Sequence, residues 1–364
     1  MSDQTKKILI LTSRTGGGHI SLAEALNDQL ASAYATEMID PQPHFIHLHY
    51  RLVTRYALWL WAAEFRWLDT PQRALTAHRV SALLMAKELK AVLDRMRPDL
   101  IITTYPFLTY EVTSVLRSLE VHTPFALLFA DPNGVHATWL TEQQAFALAP
   151  TRETYAQALA IGFDPARIHL VGWPVREQFY RVDDAQRAET LSSLGLDPER
   201  FTIFLQGGGE GAARFSRTVE HVLATQARLQ VILATGTNQK LLARFKNVPH
   251  VHALPFEKNI APFMAACDVV MGKAGPNVLF EAVTLGKPLV VTAYIPGQEQ
   301  PNLEFIRRHQ LGWVALKTDQ QQSLLKKLVE TPAELQAMCS SVARYREWNT
   351  STYQHLLPTI ESLL

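Results

Sequence analysis

The sequence contains few cysteines, no long hydrophobic run and almost no net charge. Its two cysteines, Cys267 and Cys339, are far apart and lack metal-ligand spacing, which argues against a disulfide framework and indicates a reducing compartment. The longest apolar run, Ala57–Ala63, is much shorter than the ~18 residues that span a bilayer. A formal net charge of +1 gives no general attraction to polyanions. Lys6 and Lys7 precede only a short apolar run, so no signal peptide is predicted.

Hydrophobic residues account for 47% of the 364 residues, which is enough for the two domains that this length suggests. Short apolar runs alternate with helical patterns, and this alternation predicts an α/β fold with parallel sheets. The predicted strands are Ile8–Thr12, Leu100–Thr104, Phe125–Ala130, Ala145–Ala149, Ile168–Val171, Phe201–Leu205, Val231–Thr235, Val251–Leu254, Asp268–Met271 and Leu289–Ala293.

The most informative stretch is Cys267–Asn302, which we interpret as a strand, a tight turn, a helix, a second strand and a polar loop over Ile295–Asn302. Ligands of open parallel sheets bind beyond the carboxyl ends of the strands, where helix N-termini expose backbone amides. A carboxylate on the helix suits the two hydroxyls of a ribose, and amide side chains suit the hydroxyls of a hexose. A Gly-Pro turn and a single helical Glu are also common structural features. The candidate residues are Gly275, Pro276, Asn277, Glu281, Gln298, Glu299 and Asn302.

A glycine-rich loop follows the first predicted strand and opens a helix within Ser13–Leu30. It is not a P-loop, because no Lys-Ser/Thr follows. It is not a dinucleotide fingerprint, because the spacing differs and no acidic residue ends a clear second strand. Gly17 and Gly18 let a bulky substrate approach the backbone, and His19 at the helix start can act as a base near neutral pH. The alternative is that His19 only caps the helix.

The segment His44–Arg97 combines aromatic and basic residues, with nine Lys or Arg against four Asp or Glu. Aromatic rings interspersed with arginine suit the headgroup region of an anionic membrane. A core helix with a solvated basic face explains the same pattern. A nucleic-acid partner is not predicted, because the basic cluster is local and no binding fold is evident. The membrane candidates are Tyr56, Trp59, Trp61, Phe65 and Trp67.

Two further strand ends carry candidate residues. Asp131 follows Phe125–Ala130 and can orient a histidine or hold a hydroxyl, although Asp-Pro-Asn-Gly is also a good turn sequence. His136 follows it and is a candidate acceptor contact. In the second half, Gln206–Gly211 is another glycine-rich turn after a strand, and such a turn presents amides to a diphosphate. The candidate residues there are Gly208, Gly209, Glu210 and Gly211. Phe256 is a candidate for stacking on a base, and the alternative is that it belongs to the core.

Four ordered motifs carry a family resemblance. They are TGGGH at Thr15–His19, GWPVR at Gly172–Arg176, GGGEG within Gln206–Gly211, and KAGPNVLFEA from Lys273 followed by GQE at Gly297–Glu299. Together they resemble GT-B glycosyltransferases of the monogalactosyldiacylglycerol synthase and processive diacylglycerol glucosyltransferase group, which is glycosyltransferase family 28-like. The resemblance covers essentially the whole chain.

The resemblance implies two facing Rossmann-like domains with parallel sheets and a cleft between them. It implies an acceptor-binding domain over residues 1–172, a UDP-sugar domain over 173–344 and a C-terminal helix over 345–364 that returns to the first domain. The expected activity is inverting transfer of galactose or glucose from a UDP-sugar to diacylglycerol, giving a β-linked glycolipid. The resemblance also implies that His19 acts as a general base, that the GQE loop binds the sugar and that the aromatic segment contacts the membrane.

No Asp-x-Asp motif with the expected context is present, so we expect no cofactor and no metal. The expected partners are a UDP-sugar, diacylglycerol and an anionic membrane surface, and the expected location is cytoplasmic and peripheral on the inner face of the cell membrane. The alternatives are a lipid II-type UDP-N-acetylglucosamine transferase, a UDP-N-acetylhexosamine epimerase and a catalytically inactive lipid or nucleotide sensor.

Overall fold

The computed structural model describes residues 5–15, 17–207, 215–225 and 228–364, without the side chains of Asp184 and Phe215. The predicted nucleotide contacts Gly208, Gly209, Glu210 and Gly211 therefore lie outside the described residues. The chain divides into two compact units. Unit 1 comprises Met1–Arg176, Pro296–Pro301 and Asn349–Leu364, and unit 2 comprises Glu177–Ile295 and Asn302–Trp348.

Unit 1 contains a six-stranded parallel sheet in the order β2-β1-β3-β4-β5-β6. Its central strands are short apolar runs that are buried on both faces, as parallel strands covered by helices must be. The strands are β1 Lys7–Leu11, β2 Ala35–Ile39, β3 Leu100–Thr103, β4 Phe125–Leu128, β5 Phe146–Ala149 and β6 Ile168–Leu170.

The helices of unit 1 include one of 26 residues, α4, which begins with a proline at its first position and ends before Arg97, whose φ is 46°. The Pro-Asp sequence that follows Arg97 cannot continue the helix. The first helices of the chain are α1 Gly18–Leu30, α2 His44–Tyr56, α3 Leu58–Leu68, α4 Pro71–Met96, α5 Thr109–Leu119 and α6 Arg152–Ala160.

Unit 2 contains a second six-stranded parallel sheet, in the order β12-β11-β10-β7-β8-β9. Its strands are β7 Phe201–Gln206, β8 Leu229–Ala234, β9 Val251–Leu254, β10 Val269–Lys273, β11 Leu289–Ala293 and β12 Gly312–Val314. The remaining helices are α7 Arg187–Ser193, α8 Phe215–Leu223, α9 Gln239–Phe245, α10 Ala261–Ala265, α11 Pro276–Thr284, α12 Gln300–His309, α13 Thr318–Glu330, α14 Pro332–Tyr353 and α15 Leu356–Leu363.

Each sheet has a point where the strand order reverses, and ligands of such sheets bind at these points. In unit 1 the first strand, β1, lies between β2 and β3. In unit 2 the first strand, β7, lies between β8 and β10. The loops that leave β1, β3, β7 and β10 are therefore the ones that the topology places at candidate sites.

Two strands of the structure are absent from the sequence prediction, β2 and β12. Both are edge strands, and their burial is partial: no residue of β2 is fully buried, and β12 has only three residues. A strand that faces the core on one side gives a weaker apolar pattern than a central one. Within the part of the chain that the structure describes, no helix is long and apolar enough to cross a membrane.

Candidate active site

His19 lies at the reversal point of the unit 1 sheet, in the first turn of α1. Its Nδ1 is 2.6 Å from the backbone carbonyl oxygen of Thr104, which follows the neighbouring strand β3. A carbonyl oxygen can only accept, so Nδ1 carries the hydrogen and Nε2 carries the lone pair. Burial lowers the pKa of His19 to about 4, against which the bond to Thr104 acts only partly. The imidazole is therefore neutral at pH 7, as a general base must be.

A partly buried polar cluster holds the glycine-rich loop beside His19. The ring edge of Tyr105 packs against the imidazole, with ring centroids 4.9 Å apart. The Tyr105 hydroxyl hydrogen-bonds with Gln42 and Thr15, and burial raises its pKa. Sequence reasoning placed Tyr105 only at a strand end and gave Gln42 no role, because neither position belongs to a motif.

Asp40 corrects one argument of the sequence analysis. It follows β2, a strand that the sequence did not predict, and its carboxylate accepts hydrogen bonds from the backbone amides of Arg14 at 2.8 Å and Gln42 at 3.0 Å. An acidic residue therefore does end the second strand, but its oxygens hold the loop backbone. This structural role explains why an acidic residue follows β2, and no ribose contact is needed to explain it.

Asp131 lies beyond β4, where burial raises its pKa to about 7. A hydrogen bond from Trp139 lowers the pKa, and the charge of Glu299 raises it. The sequence analysis named Asp131 as a candidate partner of His19. In the structure, Nδ1 of His19 instead hydrogen-bonds to the Thr104 carbonyl, and the Asp131 carboxyl hydrogen-bonds to Trp139.

The segment Pro296–Pro301 is counted with unit 1 although its neighbours in sequence belong to unit 2. Gly297 has a φ of 85°, and a Cβ added there would lie 3.2 Å from Phe65 Cδ1, so glycine is required for both conformation and space. Asn133 Nδ2 donates to the Pro301 carbonyl at 3.0 Å. These contacts bring Gln298 and Glu299 to the unit that contains Asp131.

His136 is buried, and both of its ring nitrogens are used inside unit 1. Nε2 lies 2.9 Å from the Phe65 carbonyl oxygen, and Nδ1 lies 2.9 Å from Thr138 Oγ1. The ring also packs on Phe65, with centroids 4.1 Å apart. His136 therefore connects the turn after Asp131 to α3, a structural role that its sequence position did not indicate.

In unit 2, β10 leads through Ala274 and Gly275 into α11, whose first residue is Pro276. Proline at this position leaves the amides of Asn277 and the next residue at the open helix end. Glu281 is buried, just over one turn further along the helix. The turn and the carboxylate are thus in the places that the sequence predicted.

Asn302 lies in the first turn of α12 and not in a loop, because a proline at the second helical position allows the helix to begin at Gln300. Its Nδ2 donates to the Ala274 carbonyl at 2.9 Å, which holds the turn before α11. Asn302 belongs to unit 2, whereas Gln298 and Glu299 are counted with unit 1. The three residues were predicted to act together and are divided between the two units.

Among the described residues, each unit contains one predicted sugar-binding residue with a buried and unpaired oxygen atom. Gln298 Oε1 and Asn302 Oδ1 are buried and accept no hydrogen bond from any residue that the structure describes. Buried acceptors are nearly always paired in folded proteins, so such atoms indicate positions for a donor-rich ligand. Phe256, beyond β9, is 68% exposed, which leaves its ring accessible for stacking.

The aromatic side chains of α2 and α3 fall into an exposed group and a packed group. Tyr56, Trp59 and Trp67 are 72%, 73% and 54% exposed. Trp61 packs edge-on against Tyr50, with centroids 5.0 Å apart, and Phe65 packs on His136. Sequence reasoning missed an exposed apolar face on α4, whose side chains are separated by three and four residues: Val80, Leu83 and Leu84.

Comparisons with known proteins agree with the motifs. Residues 19–175 match the family model of monogalactosyldiacylglycerol (MGDG) synthase, and residues 202–344 match the glycosyltransferase family 28 C-terminal domain. The chain is 31% identical to the probable monogalactosyldiacylglycerol synthase 2, chloroplastic, of Oryza sativa subsp. japonica, over 83% of this chain and 69% of that protein. It is 29% identical to monogalactosyldiacylglycerol synthase 3, chloroplastic, of Arabidopsis thaliana, over 84% and 70%.

A solved structure shows the same fold. The glycotransferase of kitacinnamycin superposes with a TM-score of 0.66 at 13% identity, covering 99% of this chain and 100% of that one. Together with the two parallel six-stranded sheets, this likeness confirms the predicted α/β, GT-B fold class.

The comparisons also correct the predicted location. Both relatives are named as chloroplastic proteins. The prediction of a cytoplasmic protein on the inner face of the cell membrane is therefore wrong. The features behind that prediction, basic and aromatic side chains in one segment, do not distinguish one cellular membrane from another. Given the identity and coverage of these relatives, the chain belongs to the MGDG synthase family and is a UDP-sugar glycosyltransferase.

Proposed function

We propose that this enzyme transfers galactose from UDP-galactose to the hydroxyl of diacylglycerol and forms a β-linked monogalactosyl lipid. The galactose donor and the acceptor follow the names of the relatives. The observation that carries the proposal is the state of His19. Its Nδ1 is bound to the Thr104 carbonyl, and Nε2 is left as the basic nitrogen of a neutral ring at the reversal point of the sheet.

In the proposed reaction, the acceptor hydroxyl gives its proton to Nε2 of His19 as its oxygen attacks the anomeric carbon. The bond from that carbon to the donor phosphate oxygen breaks, and UDP leaves with the electron pair. One in-line displacement inverts the anomeric centre, so an α-linked donor gives a β-linked product. General-base assistance of this kind contributes about 10²–10⁴-fold to the rate.

Unit 2 is proposed to bind the nucleotide. The amides at the start of α11, near Gly275 and Asn277, and the positive end of the helix dipole favour a diphosphate there. Glu281 is proposed to accept the ribose hydroxyls, and Phe256 to flank the base. The amides of Gly208–Gly211 remain a predicted part of this site. That the reaction needs no metal also remains a prediction.

The hexose is proposed to donate its hydroxyls to side-chain oxygens. Gln298 Oε1 and Asn302 Oδ1 support this role, because they are buried acceptors that the described residues do not satisfy. Glu299 is buried in the same segment as Gln298, and a carboxylate is a stronger acceptor than an amide.

A membrane surface is proposed for helices α2 to α4. On α2, Phe45, Leu48, Leu52 and Tyr56 lie on one exposed face, at spacings of three and four residues. Trp59, Trp67 and Leu83 extend the exposed apolar area, and Arg55 and Arg73 lie over the Tyr56 and Trp67 rings at 5.4 and 5.3 Å. Apolar side chains flanked by arginine suit the interface of an anionic bilayer, which gives access to a lipid acceptor.

The test is a donor panel. The protein is incubated with diacylglycerol vesicles and radiolabelled UDP-galactose, UDP-glucose or UDP-N-acetylglucosamine, and the linkage of the lipid product is read by NMR. We expect a β-galactosyl lipid from UDP-galactose. A glucosyl lipid as the main product would replace the proposed donor, and an α-linked product would contradict the single displacement.

A further inference from the structure

A buried pair of titratable side chains, His78 and Glu111, has no part in the reaction described above. His78 lies in the first third of α4 and Glu111 near the start of α5, and both side chains have no solvent exposure. Nδ1 of His78 is 3.0 Å from each carboxylate oxygen of Glu111. A buried pair of polar, titratable side chains adds little net stability compared with apolar side chains of the same volume. The pair therefore needs an explanation other than stability.

The explanation begins with the second nitrogen of His78. Its Nε2 lies 3.0 Å from the carbonyl oxygen of Thr138, so this nitrogen carries a hydrogen and donates to the turn Ala137–Trp139. The ring also stacks on Phe107, with centroids 4.7 Å apart and planes inclined by 27°. The contacts with Glu111, Phe107 and Thr138 together fix the orientation of the imidazole ring.

The turn that His78 holds carries three groups that bond to other parts of unit 1, and two of them lead to candidate site residues. Trp139 hydrogen-bonds to the Asp131 carboxyl. The Thr138 hydroxyl is 2.9 Å from His136 Nδ1, and His136 Nε2 donates to the Phe65 carbonyl. The amide of Ala137 donates to Asp69 Oδ1 at 3.0 Å, at the end of α3.

We infer that Glu111 and His78 form a positioning pair that sets the turn Ala137–Trp139, and through Trp139 the place of the Asp131 carboxyl. Neither residue touches substrate. The same turn fixes Phe65, whose ring lies against Gly297 of the segment that contains Gln298 and Glu299. The pair thus aligns, from inside unit 1, the predicted catalytic residue Asp131 and the segment whose Gln298 and Glu299 are proposed to bind the sugar. The inference rests on that function for its kinetic consequences only.

Two variants of one residue separate the two bonds of His78. The side-chain nitrogen of Asn reaches the place of Nδ1 and that of Gln the place of Nε2, so His78→Gln keeps the donor to Thr138 and His78→Asn keeps only the donor to Glu111. A third variant, Glu111→Gln, preserves the shape of the side chain and a hydrogen-bonding group beside Nδ1. It is used if either His78 variant fails to fold. Thermal unfolding is measured for all three.

We expect His78→Asn to lower kcat for transfer to diacylglycerol about 100-fold at an unchanged KM for the UDP-sugar, since a displacement of about 1 Å can cost this much. We expect His78→Gln to stay within about fivefold of the unsubstituted protein. Equal losses of kcat in the two variants, or a loss that follows the melting temperature alone, would show that the pair only supports the fold.

A second measurement does not depend on activity. The carboxyl of Asp131 is followed by NMR during a pH titration, with Asp131→Asn used for assignment. Because the Trp139 hydrogen bond lowers the pKa of Asp131, His78→Asn should raise the titration midpoint and His78→Gln should leave it unchanged. An unchanged midpoint in both variants overturns the inference even if galactose transfer is confirmed. A raised midpoint in His78→Asn alone supports it even if the proposed transfer fails.

Discussion

The two reversal points of this protein use different chemistry. In unit 1, two side chains with displaced pKa values lie beyond the strands: His19 at the reversal point and Asp131 beyond β4, which neighbours β3. At the one in unit 2, the chain presents a Gly-Pro turn and the first amides of α11. Proton transfer needs a titratable group with a tuned pKa, whereas a diphosphate needs fixed dipoles. We infer from this difference that unit 1 performs the acid–base step and unit 2 binds the charged leaving group.

The segment Pro296–Pro301 is an exception to this division of tasks between the units. It leaves β11 of unit 2, but its contacts with Phe65 and Asn133 place it with unit 1. The chain thereby brings the sugar candidates Gln298 and Glu299 to the unit that contains the proposed base. The following predictions test whether each unit has a separate task.

The largest effect is expected from His19→Asn. The side-chain amide of Asn can keep a donor toward the Thr104 carbonyl but has no basic nitrogen. We expect kcat to fall about 10²–10⁴-fold while binding of UDP is unchanged. Calorimetric titration with UDP and single-turnover transfer assays measure the two quantities. Loss of UDP binding would contradict a role confined to proton transfer.

The second prediction concerns the pH dependence of stability. The pKa of Asp131 is raised from 3.8 to about 7 on folding, so the native protein binds the proton more strongly and the free energy of unfolding falls as pH rises from about 4 to 7. Asp131→Asn removes this loss and should stabilise the protein at pH 8 by about 3–4 kcal/mol. Urea unfolding at pH 4, 6 and 8 measures it.

The variant His19→Asn tests whether the unfolding free energy changes with pH in the expected direction. The pKa of His19 is lowered to about 4, so its contribution to the unfolding free energy rises between about pH 4 and 6.5, opposite to that of Asp131. In His19→Asn the fall due to Asp131 should therefore become steeper. A shallower fall in this variant would show that the two pKa values are not displaced in these directions.

The third prediction isolates unit 2. Glu281→Gln should raise the KM for the UDP-sugar about 10–100-fold, because a hydrogen bond to a charged group contributes about 1.5–3 kcal/mol. The change should leave kcat at saturating donor nearly unaffected. Glu304→Gln, at an exposed position of the same unit, is the control. A drop in kcat without a change in KM would place Glu281 in the chemical step and break the comparison.

The smallest effect is expected at the exposed apolar surface. Trp59→Ala and Leu83→Ser should each weaken sedimentation with anionic vesicles about tenfold, since full burial of one large apolar side chain contributes about 1.5–3 kcal/mol and a helix at the interface buries its side chains only in part. Val121→Ser removes an exposed apolar side chain of unit 1 that lies outside this surface and should have no effect. Equal binding of all variants would exclude α2 to α4 as the membrane contact.

Sequence patterns predicted every central strand and two of the four edge strands, β6 and β9. The apolar runs of β1, β4, β7 and β10 were recognised because a parallel strand buried on both faces needs apolar residues at consecutive positions. The edge strands β2 and β12 were missed: β2 has no fully buried residue, and β12 has only three residues. Missing β2 had a consequence, since Asp40 at its end was then not recognised as the support of the glycine-rich loop.

By itself, the sequence determined the α/β class, the Gly-Pro turn between β10 and α11 and the family, because these depend on local periodicity and on the order of short motifs. Only the tertiary structure decided that Thr104 orients His19, that Trp139 binds Asp131, that Trp61 and Phe65 turn inward and that His78 and Glu111 pair. These contacts join residues that are distant in the chain, and neither burial nor a pKa shift exists before the chain has folded around them.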